Sequence, residues 1–158
     1  MNSEALAVEV KNQLEKHQLT LSTCESLTCG MIASILGGVP GISAVYAGGA
    51  VTYMTYTKHL LADVKEAQLY CHGAVDPETA IQMASGIQEK LHTDVSVAVT
   101  GNAGPDPMEG KPVGQVYIAV SYLDQVTVHE YVFPGERQAI REATAVQALQ
   151  DILSAINA

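Results

Sequence analysis

A chain of 158 residues, 47% hydrophobic and 16% charged, is long enough for one domain with a real core and is neither disordered nor dependent on covalent staples. Its formal net charge of -9, with only eight Lys and Arg, argues against a nucleic-acid binder, which needs cation-rich faces, yet leaves a small phosphorylated ligand open. No apolar run approaches the roughly 18 residues of a membrane span, and Met1-Asn2-Ser3-Glu4 lacks a signal pattern, so no membrane partner is expected and the cytoplasm is the default location.

In chain order, Leu6, Val10 and Leu14 recur every four residues between Glu4 and His17, one stripe of an amphipathic helix. Thr20 to Glu25 is short and partly β-branched, a strand. Met31 to Leu36 is apolar and helical in flavour, and it stops at the breaker cluster Gly37-Gly38-Val39-Pro40-Gly41. Val45 to Tyr53 reads as extended, with Gly48-Gly49 marking a bend or a close backbone approach. Asp76-Pro77 starts a helix, an acceptor at the N-cap followed by Pro at the first helical position, and that helix runs to about Leu91.

Val95, Val97 and Val99 alternate with small residues, which suits a strand buried in a sheet. Thr100 to Pro112 is a Gly/Pro-rich loop. Val116, Ile118 and Val120, then Val126, Val128 and Val132, form two more strands joined by a hairpin at Leu123-Asp124-Gln125. After Pro134-Gly135 a last helix carries Val146, Leu149, Leu153 and Ile156 on one face. The order α-β-α-β-α-β-β-β-α predicts a single α/β domain over residues 1–158, a mixed, largely parallel central sheet with helices packed on its faces. No internal repeat or low-complexity linker divides it.

Cys24, Cys29 and Cys71 are an odd set, best read as free thiols, and no clustered quartet of ligands suggests a metal. Small-residue turns follow three strands, where open α/β sheets bind ligands: Ser26 to Gly30, Gly48-Gly49, and Thr100 to Pro105. Ser26 stands where a helix is about to begin. A nucleophile there has backbone N–H groups aimed at its reaction centre; the plainer reading is that Ser26 or Thr28 caps the helix. The chain has no phosphate-loop fingerprint, no G-x-S-x-G elbow and no triad spacing. A Ser nucleophile would then need a desolvated Lys as base, and the residue pattern leaves Lys58 and Lys111 both open.

The stretches Thr23-Cys24-Glu25-Ser26-Leu27-Thr28-Cys29-Gly30, Val51-Thr52-Tyr53 with Lys58 five residues on, His72-Gly73-Ala74-Val75, Thr100-Gly101-Asn102-Ala103-Gly104-Pro105, Lys111-Pro112-Val113-Gly114 and Phe133-Pro134-Gly135-Glu136-Arg137 resemble, in order and over nearly the whole chain, the CinA C-terminal-domain family, which includes nicotinamide-nucleotide amidases. The resemblance implies a three-layer α/β/α fold and hydrolysis of the carboxamide of nicotinamide mononucleotide to nicotinate mononucleotide and ammonia. It implies Ser26 as nucleophile, Lys58 as its base and Tyr53 as assistant, with no metal and no cofactor. Arg137, with Arg141 one turn on, is expected at the nucleotide phosphate. Thr28, Gly30, Thr100, Gly101 and Asn102 are expected around the substrate. The implied partner is a small pyridine nucleotide, and a homo-oligomer is the further expectation.

The chain departs from the family pattern at three points. Leu27-Thr28-Cys29-Gly30 replaces the usual Cys-Thr-Gly-Gly, Asn102 stands where an apolar residue is common, and Met54-Thr55 replaces Ser-Asn. A Cys at position 29 costs on the order of 1 kcal/mol if that position needs positive φ, and it offers a rival nucleophile. These changes bear on substrate choice, with another small amide, or a nucleotide- or partner-binding module without turnover, as the alternatives.

Overall fold

The computed structural model describes residues 1–158. Five strands form one sheet in the order β2-β1-β3-β4-β5: β1 (Leu21–Glu25), β2 (Tyr46–Val51), β3 (Val95–Gly101), β4 (Gln115–Tyr122) and β5 (Gln125–Val132). β1 pairs in parallel with β2 and β3, β4 runs antiparallel to β3, and β5 is antiparallel to β4. Four strands therefore share a direction, as expected of a mixed, largely parallel sheet. The β4–β5 hairpin closes through Leu123 and Asp124, with Leu123 in the left-handed region at φ 57°.

Helices cover both faces, giving the three layers. One face carries α1 (Ser3–Lys16), α2 (Met31–Gly37) and α6 (Arg137–Ile156), which bury Leu6, Val10, Leu36, Ile140 and Leu149 against Val95, Val97 and Val99 of β3. The other carries α3 (Thr55–Ala62), α4 (Glu66–His72) and α5 (Pro77–Leu91), whose Ala80, Met83 and Ile87 pack on Cys24, Ala98 and Ala119. Every residue of β1 is buried because both faces are covered. Helix α5 starts as its sequence dictates, the Asp76 carboxylate accepting from the Glu78 N–H at 3.0 Å with Pro77 behind it. No helix is long and apolar enough to cross a membrane.

Helices α3 and α4 have no counterpart in the strand and helix periodicities. Thr55, Tyr56 and Thr57 are poor helix formers, Met54 at the N-cap supplies no side-chain acceptor, and Tyr56 and Leu60 point outward. Only Lys58 and Ala62 of α3 are buried. Tertiary packing makes this helix: Gly86 of α5 lies so close to it that a Cβ there would overlap the Ala62 carbonyl.

Candidate active site

The chain runs from β1 to β2 on one side and returns to β3 on the other, so β1 and β3 flank the point where strand order reverses, the usual ligand crevice of such sheets. Ser26 follows the carboxyl end of β1, Tyr53 that of β2, and Asn102 that of β3. The Ser26 N–H donates to the Val99 carbonyl at 3.1 Å and the Thr52 N–H to the Glu25 carbonyl at 2.7 Å, tying the three ends into one rim. Ser26, Leu27, Tyr53, Gly101 and Asn102 line a cleft of about 270 Å³ there, closed by Arg137 and the Ala103–Met108 loop.

Lys58 reaches Ser26 from α3. Its Nζ lies 2.9 Å from Ser26 Oγ and donates to the Thr52 carbonyl at 2.6 Å. Lys58 is fully buried, and that loss of solvent lowers its pKa from 10.5 to about 8, with Cys24 and Glu109 pulling weakly the other way. As an ammonium it donates to Ser26; as an amine its lone pair can accept the Ser26 proton. Of the two lysines left open by the sequence, Lys58 is the one at the serine. The Cys24 thiol, buried nearby, is pushed up to about 11 by desolvation, so it stays protonated.

The turn that presents Ser26 is held from two sides. The Cys29 N–H donates to the Ser26 carbonyl at 3.0 Å, and Cys29 has φ 49°, the strained geometry foreseen for that position, before Gly30 at φ 92°. Cys29 is exposed and does not line the cleft. From inside, the buried Glu25 carboxylate accepts from Thr28 Oγ1 at 2.6 Å and from the Ile32 and Ala33 N–H groups at 2.9 and 3.0 Å, neutralising the start of α2. From outside, Arg141 donates through Nε to the Leu27 carbonyl at 2.9 Å and through Nη2 to the Thr28 carbonyl at 3.0 Å.

The expected site residues thus divide. Ser26 and Lys58 touch, while the Tyr53 hydroxyl accepts from Arg137 Nη2 at 2.5 Å and bonds to neither of them. Gly101, Asn102 and Arg137 line the cleft. Arg137 also donates to the Gly104 carbonyl at 2.6 Å, and its charge meets only neutral acceptors; neither Arg137 nor Arg141 forms an ion pair with Glu136, Glu142 or any other carboxylate. Asn102 organises its loop, its Oδ1 accepting from Gly104 N–H at 3.0 Å and its Nδ2 donating to Asp106 carbonyl at 3.0 Å. Thr28, Gly30, Thr100 and Arg141 do not line the cleft. The hydroxyl of Thr28 is committed to Glu25 and that of Thr100 to the Ala74 carbonyl at 2.7 Å, Gly30 is the left-handed residue before α2, and Arg141 braces the turn.

Sequence reasoning missed Glu25 and Glu109. The available signal for Glu25 was an acid just ahead of a helix start; Glu109, which accepts from the Ala74 and Val75 N–H groups at 3.0 and 2.9 Å and so anchors the loop over the cleft, carried none. No group of three or more His, Cys, Asp and Glu side chains comes together to hold a metal ion.

Fold and site define a three-layer α/β protein with a desolvated lysine against a serine at the sheet's switch point. Residues 3–156 match the CinA C-terminal domain family. A competence-damage inducible protein of Lactiplantibacillus plantarum is 40% identical over 157 residues, covering 99% of this chain and 37% of the relative. One from Desulforamulus reducens is 46% identical over 132 residues, 84% of this chain and 32% of the relative. The chain spans about a third of the length of these curated relatives. Among solved structures, the competence damage-inducible protein A of Klebsiella pneumoniae superposes with a TM-score of 0.95 at 30% identity, covering 98% of this chain and 96% of that one. The competence/damage inducible protein of Agrobacterium tumefaciens gives 0.94 at 37% identity, covering 100% and 97%. The chain belongs to the CinA C-terminal domain family.

Proposed function

We propose that this protein is an amidohydrolase that converts nicotinamide mononucleotide to nicotinate mononucleotide and ammonia, with Ser26 as nucleophile and Lys58 as base. The observation that carries the reading is the 2.9 Å contact between Lys58 Nζ and Ser26 Oγ, made by a lysine whose burial brings its pKa near neutrality. A nucleotide-holding module without turnover has no use for that pair.

The Lys58 amine takes the Ser26 proton as Oγ attacks the carboxamide carbon. The carbonyl oxygen becomes an oxyanion, for which the N–H groups of Leu27 and Ala103 are the candidate donors: both residues line the cleft and neither N–H has a partner within the protein. Lys58 returns the proton to the amide nitrogen, the C–N bond breaks and ammonia leaves, giving an ester on Ser26. Water, deprotonated by Lys58, then adds to that ester; the C–Oγ bond breaks as Lys58 passes the proton to Ser26 Oγ, and the acid leaves as its carboxylate, giving its own proton to solvent. Arg137, cationic and without a carboxylate partner, supplies the charge for the nucleotide phosphate, and Tyr53 steadies it.

Incubating purified protein with nicotinamide mononucleotide and measuring ammonia tests this reading. The wild type releases ammonia and Ser26→Ala loses the activity by roughly 10³ or more. No ammonia from the wild type at high enzyme would sink the substrate assignment, and equal release by both would remove Ser26 from the mechanism.

A further inference from the structure

Residues Ala103 to Met108 form one wall of the cleft. Beyond Met108 the chain reverses through Glu109 and Gly110, at φ 55° and 73°, with the Lys111 N–H donating to the Met108 carbonyl at 2.8 Å. Two consecutive left-handed residues make a tight hairpin turn that Asn-Gly or Asp-Gly usually fills. Glutamate has one methylene more, and its carboxylate crosses to the turn between α4 and α5. There it accepts from the Ala74 N–H at 3.0 Å and, through its other oxygen, from the Val75 N–H at 2.9 Å. That turn has room for it: Gly73 stands at φ 85°, and a Cβ there would overlap the Glu109 carboxylate. The turn is also fixed, with Thr79 Oγ1 donating to the Gly73 carbonyl and Thr100 Oγ1 to the Ala74 carbonyl, each at 2.7 Å. Val75 belongs to the same buried cluster as Cys24 of β1 and Ala62 of α3, one helical turn beyond Lys58. Glu109 forms no ion pair, not even with Lys111 two residues on. An anion without a cation of its own is thus fixed beside the element that carries Lys58.

Taking Ser26 and Lys58 in their proposed roles, we infer that Glu109 is a positioning residue for the same reaction: it latches the cleft wall onto the α4–α5 turn and serves as counter-charge to the Lys58 ammonium formed when Ser26 attacks. A hydroxyl proton that moves to a buried amine creates a cation out of reach of water. A carboxylate already fixed nearby lowers the energy of that cation without having to reorient. Among the groups around Lys58, Ser26 Oγ and the Thr52 carbonyl are neutral, and Cys24 on β1 stays protonated. Helices α4 and α5 bring Glu66 and Lys90 to α3, where they are paired with His59 and Asp63. Glu109 is the carboxylate whose charge favours the ammonium. The residue is exposed, so water screens it in part, and its effect on Lys58 is smaller than that of burial. The latch also holds the wall that carries the Ala103 N–H, a candidate oxyanion donor.

Two variants separate charge from reach, and both are read first without substrate. Glu109→Gln keeps the length and removes the charge; Glu109→Asp keeps the charge and shortens the reach. Carbon NMR of the Lys58 side chain against pH is expected to give a midpoint at about 8 in the wild type. In Glu109→Gln the midpoint moves to lower pH, the sign for an ammonium that has lost a favourable anion, while Glu109→Asp stays nearer the wild type. Amide hydrogen exchange at Ala74 and Val75 is expected to quicken about tenfold in both variants, the scale of a weakened bond to a charged acceptor. With nicotinamide mononucleotide at the high-pH plateau, Glu109→Gln is expected to lower kcat about three- to tenfold, the scale of one charge acting through protein, and Glu109→Asp to act mainly by raising KM. A Lys58 midpoint that Glu109→Gln leaves in place, or Ala74 and Val75 amides that exchange no faster in either variant, would overturn this role for Glu109. Neither of those readings needs turnover. A wild type that releases no ammonia while both shifts are present would overturn the reaction assigned and leave the latch and its charge standing.

Discussion

Lys58 is costly to bury and is kept charged only against its surroundings, and this fixes the pH behaviour of the site. The amine form is the one that can take the Ser26 proton, so kcat/KM is expected to rise with pH through an apparent pKa of about 8 and level off above it, as initial rates of ammonia release across pH 6 to 10 would record. The sign for stability is the same. The folded chain holds this proton less tightly than the unfolded chain, so between about pH 8 and 10.5 Lys58 contributes stability that increases with pH, and below that window its burial opposes folding. Arg137 and Arg141 separate in a different way. With Arg137 in its proposed role at the phosphate, Arg137→Met is expected to raise KM about ten- to a hundredfold with kcat largely kept, the size of one lost charged contact. Arg141→Met, which frees the Leu27 and Thr28 carbonyls, is expected to lower kcat by a similar factor with KM little changed. Steady-state kinetics of both variants distinguishes these outcomes. The sequence alone could not separate the two arginines, because both begin the same helix and only the tertiary fold turns one to the cleft and the other to the back of the nucleophile turn. Lys58 was equally illegible as a local signal: it became the candidate base through the motif register, and a buried lysine on a helix without amphipathic period leaves no pattern of its own.

The elements most legible were those whose periodicity is imposed by burial on one or both sides. The alternation of Val95, Val97 and Val99 marks β3, and Asp76-Pro77 marks the start of α5, because both patterns arise from local physics. Helices α3 and α4 were illegible for the opposite reason: their outward sides carry Tyr56, Leu60 and Tyr70, which erases the polar face that signals a surface helix. The helix that carries Lys58 therefore depends on a neighbour. At Gly86, where an added Cβ would collide with the Ala62 carbonyl, Gly86→Ala is expected to push α3 outward. It should cost about 1–3 kcal/mol and lower kcat as Lys58 withdraws from Ser26. Thermal melts paired with activity check this. Gly37→Ala, where nothing lies within 4 Å, is expected to change stability by no more than about 0.5 kcal/mol.

At the scale of the molecule, the three-layer arrangement was readable from the order of the predicted elements, and the superposition on solved chains of nearly equal length agrees with it. The strand order β2-β1-β3-β4-β5 was not, since pairing depends on which strands the covering helices bring together. That order has a consequence for how the site comes into being. Ser26 is delivered by the middle layer, Lys58 by the α3–α4–α5 layer, and Arg137 by the layer of α1, α2 and α6. No two layers hold the full set. The contact between Lys58 and Ser26 joins residues 32 positions apart in sequence, and that between Arg137 and Tyr53 joins residues 84 apart. Under the proposed mechanism, turnover is a readout of complete assembly: a collapsed intermediate, a truncated chain or a half-formed sheet can have helix and strand in abundance and still be silent, and the first molecule of ammonia released during refolding is then expected to mark the moment when all three layers have closed.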